Sequence, residues 1–178
     1  MGVERRSVIL DGTQFTFSIA PEQMAIANAK VDKYSVAEKL QRFDDVFAAQ
    51  PALLGAAVQL PSLGVDVRLA DHAFHVLLVL FECFSMYVPG LPRIGAETVQ
   101  KAFDDISSML RFYDGEPPEE ARRLQMIWAS EHKEHAVLAF VVGYLNSKLP
   151  EITREQELVR NCCLAMTNAY LAAYKAMQ

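Results

Sequence analysis

The sequence predicts an all-α protein, a multi-helix bundle of about six helices over residues 21–178 with a short N-terminal β-hairpin over 7–19. Three observations carry this. Apolar residues recur at steps of three and four through the segments after Pro21, the period of a helix that buries one face. Two segments open with the Ser/Thr-x-x-Glu/Gln pattern, Ser35-Val36-Ala37-Glu38 and Thr153-Arg154-Glu155-Gln156, which satisfies first-turn amides on both sides. Proline and glycine stand between the periodic segments, at Pro51, Pro61, Pro89-Gly90-Leu91-Pro92, Asp114-Gly115 and Pro117-Pro118, where they stop or start helices. No repeat, low-complexity tract or linker divides the chain, so 1–178 reads as a single domain.

The first twenty residues depart from this pattern. Ser7 to Leu10 and Thr13 to Ile19 flank Asp11-Gly12, a pair suited to the positive φ angles of a two-residue hairpin turn. Phe15 and Phe17 alternate with polar neighbours, as in a half-buried strand. A lone hairpin is marginal in water and needs a partner surface. The edge from Val8 to Phe17 is therefore an expected docking strand.

The helices follow in order. A short one starts at Pro21 and runs to about Lys30. The next is capped at Ser35, with Val36, Leu40, Phe43 and Phe47 as its apolar stripe. A third starts at Pro51 and ends before Pro61. A long apolar helix covers about 67–88. The segment 96–113 turns Val99, Phe103, Ile106, Leu110 and Tyr113 inward and Lys101, Asp104, Asp105, Ser108 and Arg111 outward. Another continues from Glu116 to about Asn146. The last, capped at Thr153, carries a bulky stripe (Val159, Cys163, Met166, Tyr170, Tyr174, Met177) and a small-residue strip (Cys162, Ala165, Ala169, Ala172, Ala176) open to close helix approach.

Composition limits function. A net charge of −5 argues against nucleic acid, whose phosphates demand a basic patch. The run from Val76 to Val88 is interrupted by Glu82 and is shorter than the ~20 residues of a membrane span, and no signal-peptide pattern opens the chain. Cys83, Cys162 and Cys163 form no disulfide framework, and the adjacent pair points about 100° apart on a helix. A cytoplasmic protein is expected. The apolar fraction is 52 %, with ten Phe, six Tyr and seven Met, enough to leave an interface or an apolar ligand pocket beyond the core.

One constellation points to chemistry. The four histidines form two pairs at the same spacing, His72/His75 and His132/His135, each three apart on one helix face. Glu82 continues the first line, and Glu131 joins His135 in the apolar seam Leu124, Trp128, Glu131, His135, Leu138, Val142, Leu145. A carboxylate in such a seam needs a partner. Should the two helices face each other, these six residues would converge as ligands of a divalent transition metal, zinc or iron, in a hydrolytic or oxidative enzyme. Established metalloenzyme spacings are absent: the pairs match neither His-Glu-x-x-His nor a doubled Glu-x-x-His. Phosphate-binding glycine loops and nucleophile elbows are missing too. The leading expectation is therefore a non-enzymatic interaction protein without a cofactor. It would bind a protein partner or itself through the last helix and the hairpin edge, with the metal enzyme as the alternative.

Overall fold

The computed structural model describes residues 6–10, 13–17, 19–113, 135–151 and 153–177, with the side chains of 6–17 and 110–113 outside the description. Seven α-helices lie within it: α1 (Pro21–Asp32), α2 (Val36–Ala49), α3 (Pro51–Val58), α4 (Val67–Tyr87), α5 (Ala96–Tyr113), α6 (His135–Lys148) and α7 (Arg154–Lys175), with a 3₁₀ turn at Pro61–Leu63. The all-α class holds. The hairpin expected over 7–19 is not supported as part of this fold, whose described core begins at Ile19.

Local chemistry sets the helix starts. The Ser35 hydroxyl accepts from the Glu38 amide at 3.3 Å while the Glu38 carboxylate accepts from the Ser35 amide at 2.7 Å. Asp66 accepts from the Arg68 amide at 2.8 Å and Thr153 from the Gln156 amide at 3.3 Å. Each such cap is worth about 1 kcal/mol. The end of α6 is closed from outside: the Arg160 guanidinium of α7 donates to Asn146 Oδ1 at 3.1 Å, to the Leu145 carbonyl at 3.3 Å and to the Leu149 carbonyl. A cation there meets the negative end of the helix dipole.

The axis of the bundle is α4, which packs on α1, α2, α3 and α7. Ala70, Ala73, Val76 to Leu80, Cys83 and Phe84 are all buried. At 21 residues and a mean hydropathy of 1.4, α4 is long and apolar enough to cross a membrane, a longer segment than the 76–88 run weighed from sequence. Here its apolar surface is spent on neighbouring helices.

Two predicted surfaces are corrected. The last helix is not a free docking face: α7 packs on α5, α4, α6 and α3, and Cys162, Ala165 and Ala169 are buried together with Val159, Cys163, Met166 and Tyr170. The stripe of α2 is turned the other way. Val36, Leu40 and Phe47 are 77 %, 61 % and 65 % exposed, while Val46 is the helix's buried residue. Only Phe43 packs inward, edge-on to Phe74 at 5.5 Å. The physical reason lies with Arg42, which α2 aims into the bundle at Glu82.

Candidate functional site

His72, His75 and Glu82 share one face of α4, as their spacing predicts. That face does not meet water as a polar strip. It is covered by α1, α2 and α6, which divide it into two separate polar clusters.

The first surrounds Glu82, whose side chain is only 3 % exposed. Its Oε2 accepts from Lys30 Nζ at 2.6 Å, and its Oε1 accepts from the Tyr34 hydroxyl at 2.6 Å and from Arg42 Nε at 2.9 Å. Arg42 also holds Asp45 at 2.9 Å. Three donors from α1, the α1–α2 connection and α2 thus engage both carboxylate oxygens. Contact with Glu82 pushes the Lys30 ammonium up, and burial pushes the Tyr34 phenol up, so both keep their protons. Two cations and a phenol hold the carboxylate in place. Its role is to tie α1 and α2 to α4.

The second cluster lies two to three turns earlier on α4. Tyr144 of α6 stacks on His75, with ring centroids 4.9 Å apart and planes 9° from parallel, and meets His72 edge-on at 5.9 Å. Burial keeps the Tyr144 phenol protonated, and its hydroxyl shares a hydrogen bond with His72 Nδ1 at 2.9 Å. His75 Nε2 lies 2.9 Å from Asn28 Oδ1, a carbonyl that only accepts, so this nitrogen donates. Burial lowers the pKa of both imidazoles, and the Asp32 carboxylate 4.0 Å from His75 opposes that only in part. Neutral, internally hydrogen-bonded imidazoles are the result.

The sequence-derived metal set therefore divides. His72 and His75 come together around Tyr144, Glu82 stands apart among its own donors, and His135 sits half-buried at the start of α6. Glu131 and His132 lie outside the described residues. Among the described residues no group of three or more His, Cys, Asp or Glu is arranged to hold a metal ion. One nitrogen of each imidazole is already engaged, His72 Nδ1 by Tyr144 and His75 Nε2 by Asn28. The thiols offer no nucleophile either: Cys83 and Cys162 are buried and pushed up to about 12, and Cys163 is raised in the same direction.

Sequence reasoning missed Lys30, Tyr34, Arg42, Asn28 and Tyr144. One signal was available: a glutamate inside the apolar run of α4 demands a cation, and Arg42 falls just beside the greasy stripe of α2. The class these features define is an all-α helical bundle with a polar layer built into one face of its central helix. No family model, no curated protein and no solved structure matches the chain.

Proposed function

We propose that this protein is a non-catalytic interaction protein of the cytoplasm, binding other protein surfaces through the outer face of α2, with a second copy of the chain as the most direct partner. The observation that carries this reading is the row Val36, Leu40 and Phe47, three large apolar side chains along one face of α2, all more than half exposed. Scattered exposed apolar residues need no explanation, but three aligned on one face of a well-capped helix are the form of a helix-in-groove or helix–helix contact. His72, His75 and Glu82 of the central helix support a structural role, since each is matched by an internal partner. Three buried free thiols suit a reducing compartment. The N-terminal hairpin, with its edge from Val8 to Phe17, belongs to the same proposal as a second docking element.

Sedimentation velocity across a hundredfold range of concentration tests this. The wild type is expected to gain mass above the 19.9 kDa of one chain, and the Leu40→Asp/Phe47→Asp variant to stay at the mass of one chain with an unchanged melting curve. A wild type that remains at one chain's mass throughout, and that forms no protein cross-link in cells from a photoreactive residue at position 40, overturns the reading.

A further inference from the structure

The backbone of α6 packs chiefly against α7 and α1, and α6 reaches the central helix through Tyr144, whose ring lies flat on His75 and whose hydroxyl is bonded to His72. Asn28 of α1 completes the junction. Its Nδ2 donates to the Asp32 carboxylate at 2.9 Å, and its Oδ1 accepts from His75 Nε2 at 2.9 Å. The carboxylate only accepts, which fixes the way the amide points. The neutral His75 ring therefore carries its proton on Nε2, and a second proton goes to Nδ1. Among the described residues that nitrogen has no hydrogen-bond partner.

Every helix around the pair contributes to its electrostatics. Asp32 of α1 lies 4.0 Å from His75 Nε2 and favours a charge there. Lys39 of α2, Lys148 of α6 and His72 itself oppose one. At His72, Lys148 again opposes and Asp71 favours. From α7 the Cys163 thiol approaches Tyr144, and burial keeps that thiol protonated. The His75 side chain is only 16 % exposed, and burial is the largest influence on both rings, so each titrates below the ordinary imidazole value. The Tyr144 ring face attracts a single imidazolium. Two imidazoliums three residues apart on one helix face repel each other, and Lys148 adds a third positive charge. Asp32 can answer the charge on His75 only by closing the remaining gap, which breaks the Asn28 bridge.

We propose that the junction of His72, His75 and Tyr144 is an acid-operated latch: with both imidazoles neutral it seats α6 on the central helix, and with both charged it lets α6 come away while α1 and α2 stay in place. Histidine clusters at helix contacts switch in this way because charging costs most where water is scarce. The second polar cluster of α4 explains why the response is local. Around Glu82 the Lys30 ammonium, the Tyr34 phenol and the Arg42 guanidinium are all pushed up and keep their protons through the range in which the imidazoles charge. Those bonds hold α1 and α2 to α4 at either pH. The latch is independent of the proposed docking row on α2, and either can fail without the other.

The test is amide hydrogen exchange of the full chain, read by two-dimensional NMR between pH 7.5 and 5.0 and corrected for the intrinsic pH dependence of exchange. An opening that takes up one proton grows by up to about tenfold per pH unit, and one that takes up two by up to about a hundredfold. Protection of Val137, Val141 and Leu145 in α6 should therefore fall by more than about tenfold per unit below the ordinary imidazole value, while Ala102 and Ile106 of α5 change far less. His72→Gln/His75→Gln should abolish the response, and His135→Gln, on the same helix, should keep it. Two exposed positions give opposite signs without touching the core: Lys148→Met should shrink the response, and Asp32→Asn should enlarge it. Well-dispersed spectra show that each variant folds. The proposal is overturned by equal loss of protection in α5 and α6, by a full response in the double glutamine variant, by its loss in His135→Gln, or by Lys148→Met and Asp32→Asn shifting it the same way.

Discussion

The buried Glu82 makes an asymmetric prediction, because its partners differ from it in access to water. Glu82 is 3 % exposed, whereas Lys30 and Arg42 are each 37 % exposed. Removing the negative charge leaves two cations that can swing outward. Removing the cations leaves a carboxylate that cannot. In Glu82→Gln one amide oxygen still accepts from Tyr34, and Lys30 releases into solvent. The loss is one charge-assisted bond and the charge component of the others, discounted for solvent screening at the cations, about 2 kcal/mol. In Lys30→Met/Arg42→Met the carboxylate keeps only the Tyr34 hydroxyl, and stranding a buried charge costs about 3–5 kcal/mol. Urea unfolding followed by circular dichroism at pH 7.5 reads both. The double variant should be the less stable by about 2 kcal/mol, the difference between these two costs. It should also regain stability as pH falls toward 5, because a stranded carboxylate folds best protonated. Adding Glu82→Gln to the double variant should restore most of the loss at pH 7.5. If Glu82→Gln alone costs as much as the double variant, or if the triple variant is no better than the double, the assignment of Glu82 as the clamped group is wrong.

Four further outcomes are expected. His72 and His75 have lowered pKa values in the folded state, so the folded chain binds fewer protons than the unfolded one near pH 6. The stability they contribute is fully present above about pH 6.5 and is lost as pH falls through the lower folded-state values. Melting temperature should fall across that window, and His72→Gln/His75→Gln should flatten the slope; an unchanged slope refutes the lowering of the two imidazole pKa values by burial. Arg160→Met removes the three bonds that close α6 and should cost about 1–2 kcal/mol in urea midpoint terms. Leu77→Ala deletes a fully buried side chain of α4 and should cost about 3 kcal/mol. Ala165→Glu places a carboxylate where nothing is exposed. It should abolish cooperative unfolding at 37 °C; a folded variant altered only in self-association would revive the last helix as a docking face.

Much of the architecture was legible because it is local. The capping box at Ser35, the side-chain cap at Thr153, the prolines at 21 and 51 and the break after Tyr87 depend on neighbours a few residues away, and the helices start and stop there; of the box expected at Thr153 the return bond is absent, since Gln156 Oε1 accepts from the Glu151 amide instead. What α2 and α7 face was not legible. Their patterns say which side is apolar but not whether the chain itself covers that side. For α7 it does from Val159 to Tyr170, while Ala172, Ala176 and Met177 near its end are exposed. For α2 the long-range ion pair goes with a rotation that leaves three apolar residues outside. The polar line on α4 was read correctly as a line, yet its division into two clusters depends on Lys30, Arg42, Asn28 and Tyr144, whose sequence separations from it run from 40 to 72 residues.

The clamp on Glu82 also governs what α2 shows to the outside. At about 100° per residue, the direction of Arg42 and Val46 lies roughly a third of a turn from that of Val36, Leu40 and Phe47. An axial roll by that amount would sink the greasy row into the bundle and carry the guanidinium out to solvent. The hydrophobic effect by itself favours that roll, and the anchoring anion opposes it. A chain that lost the anion would gain solubility and forfeit its sticky edge in the same step, so substitutions at positions 82 and 42 should be tolerated best where 36, 40 and 47 remain apolar.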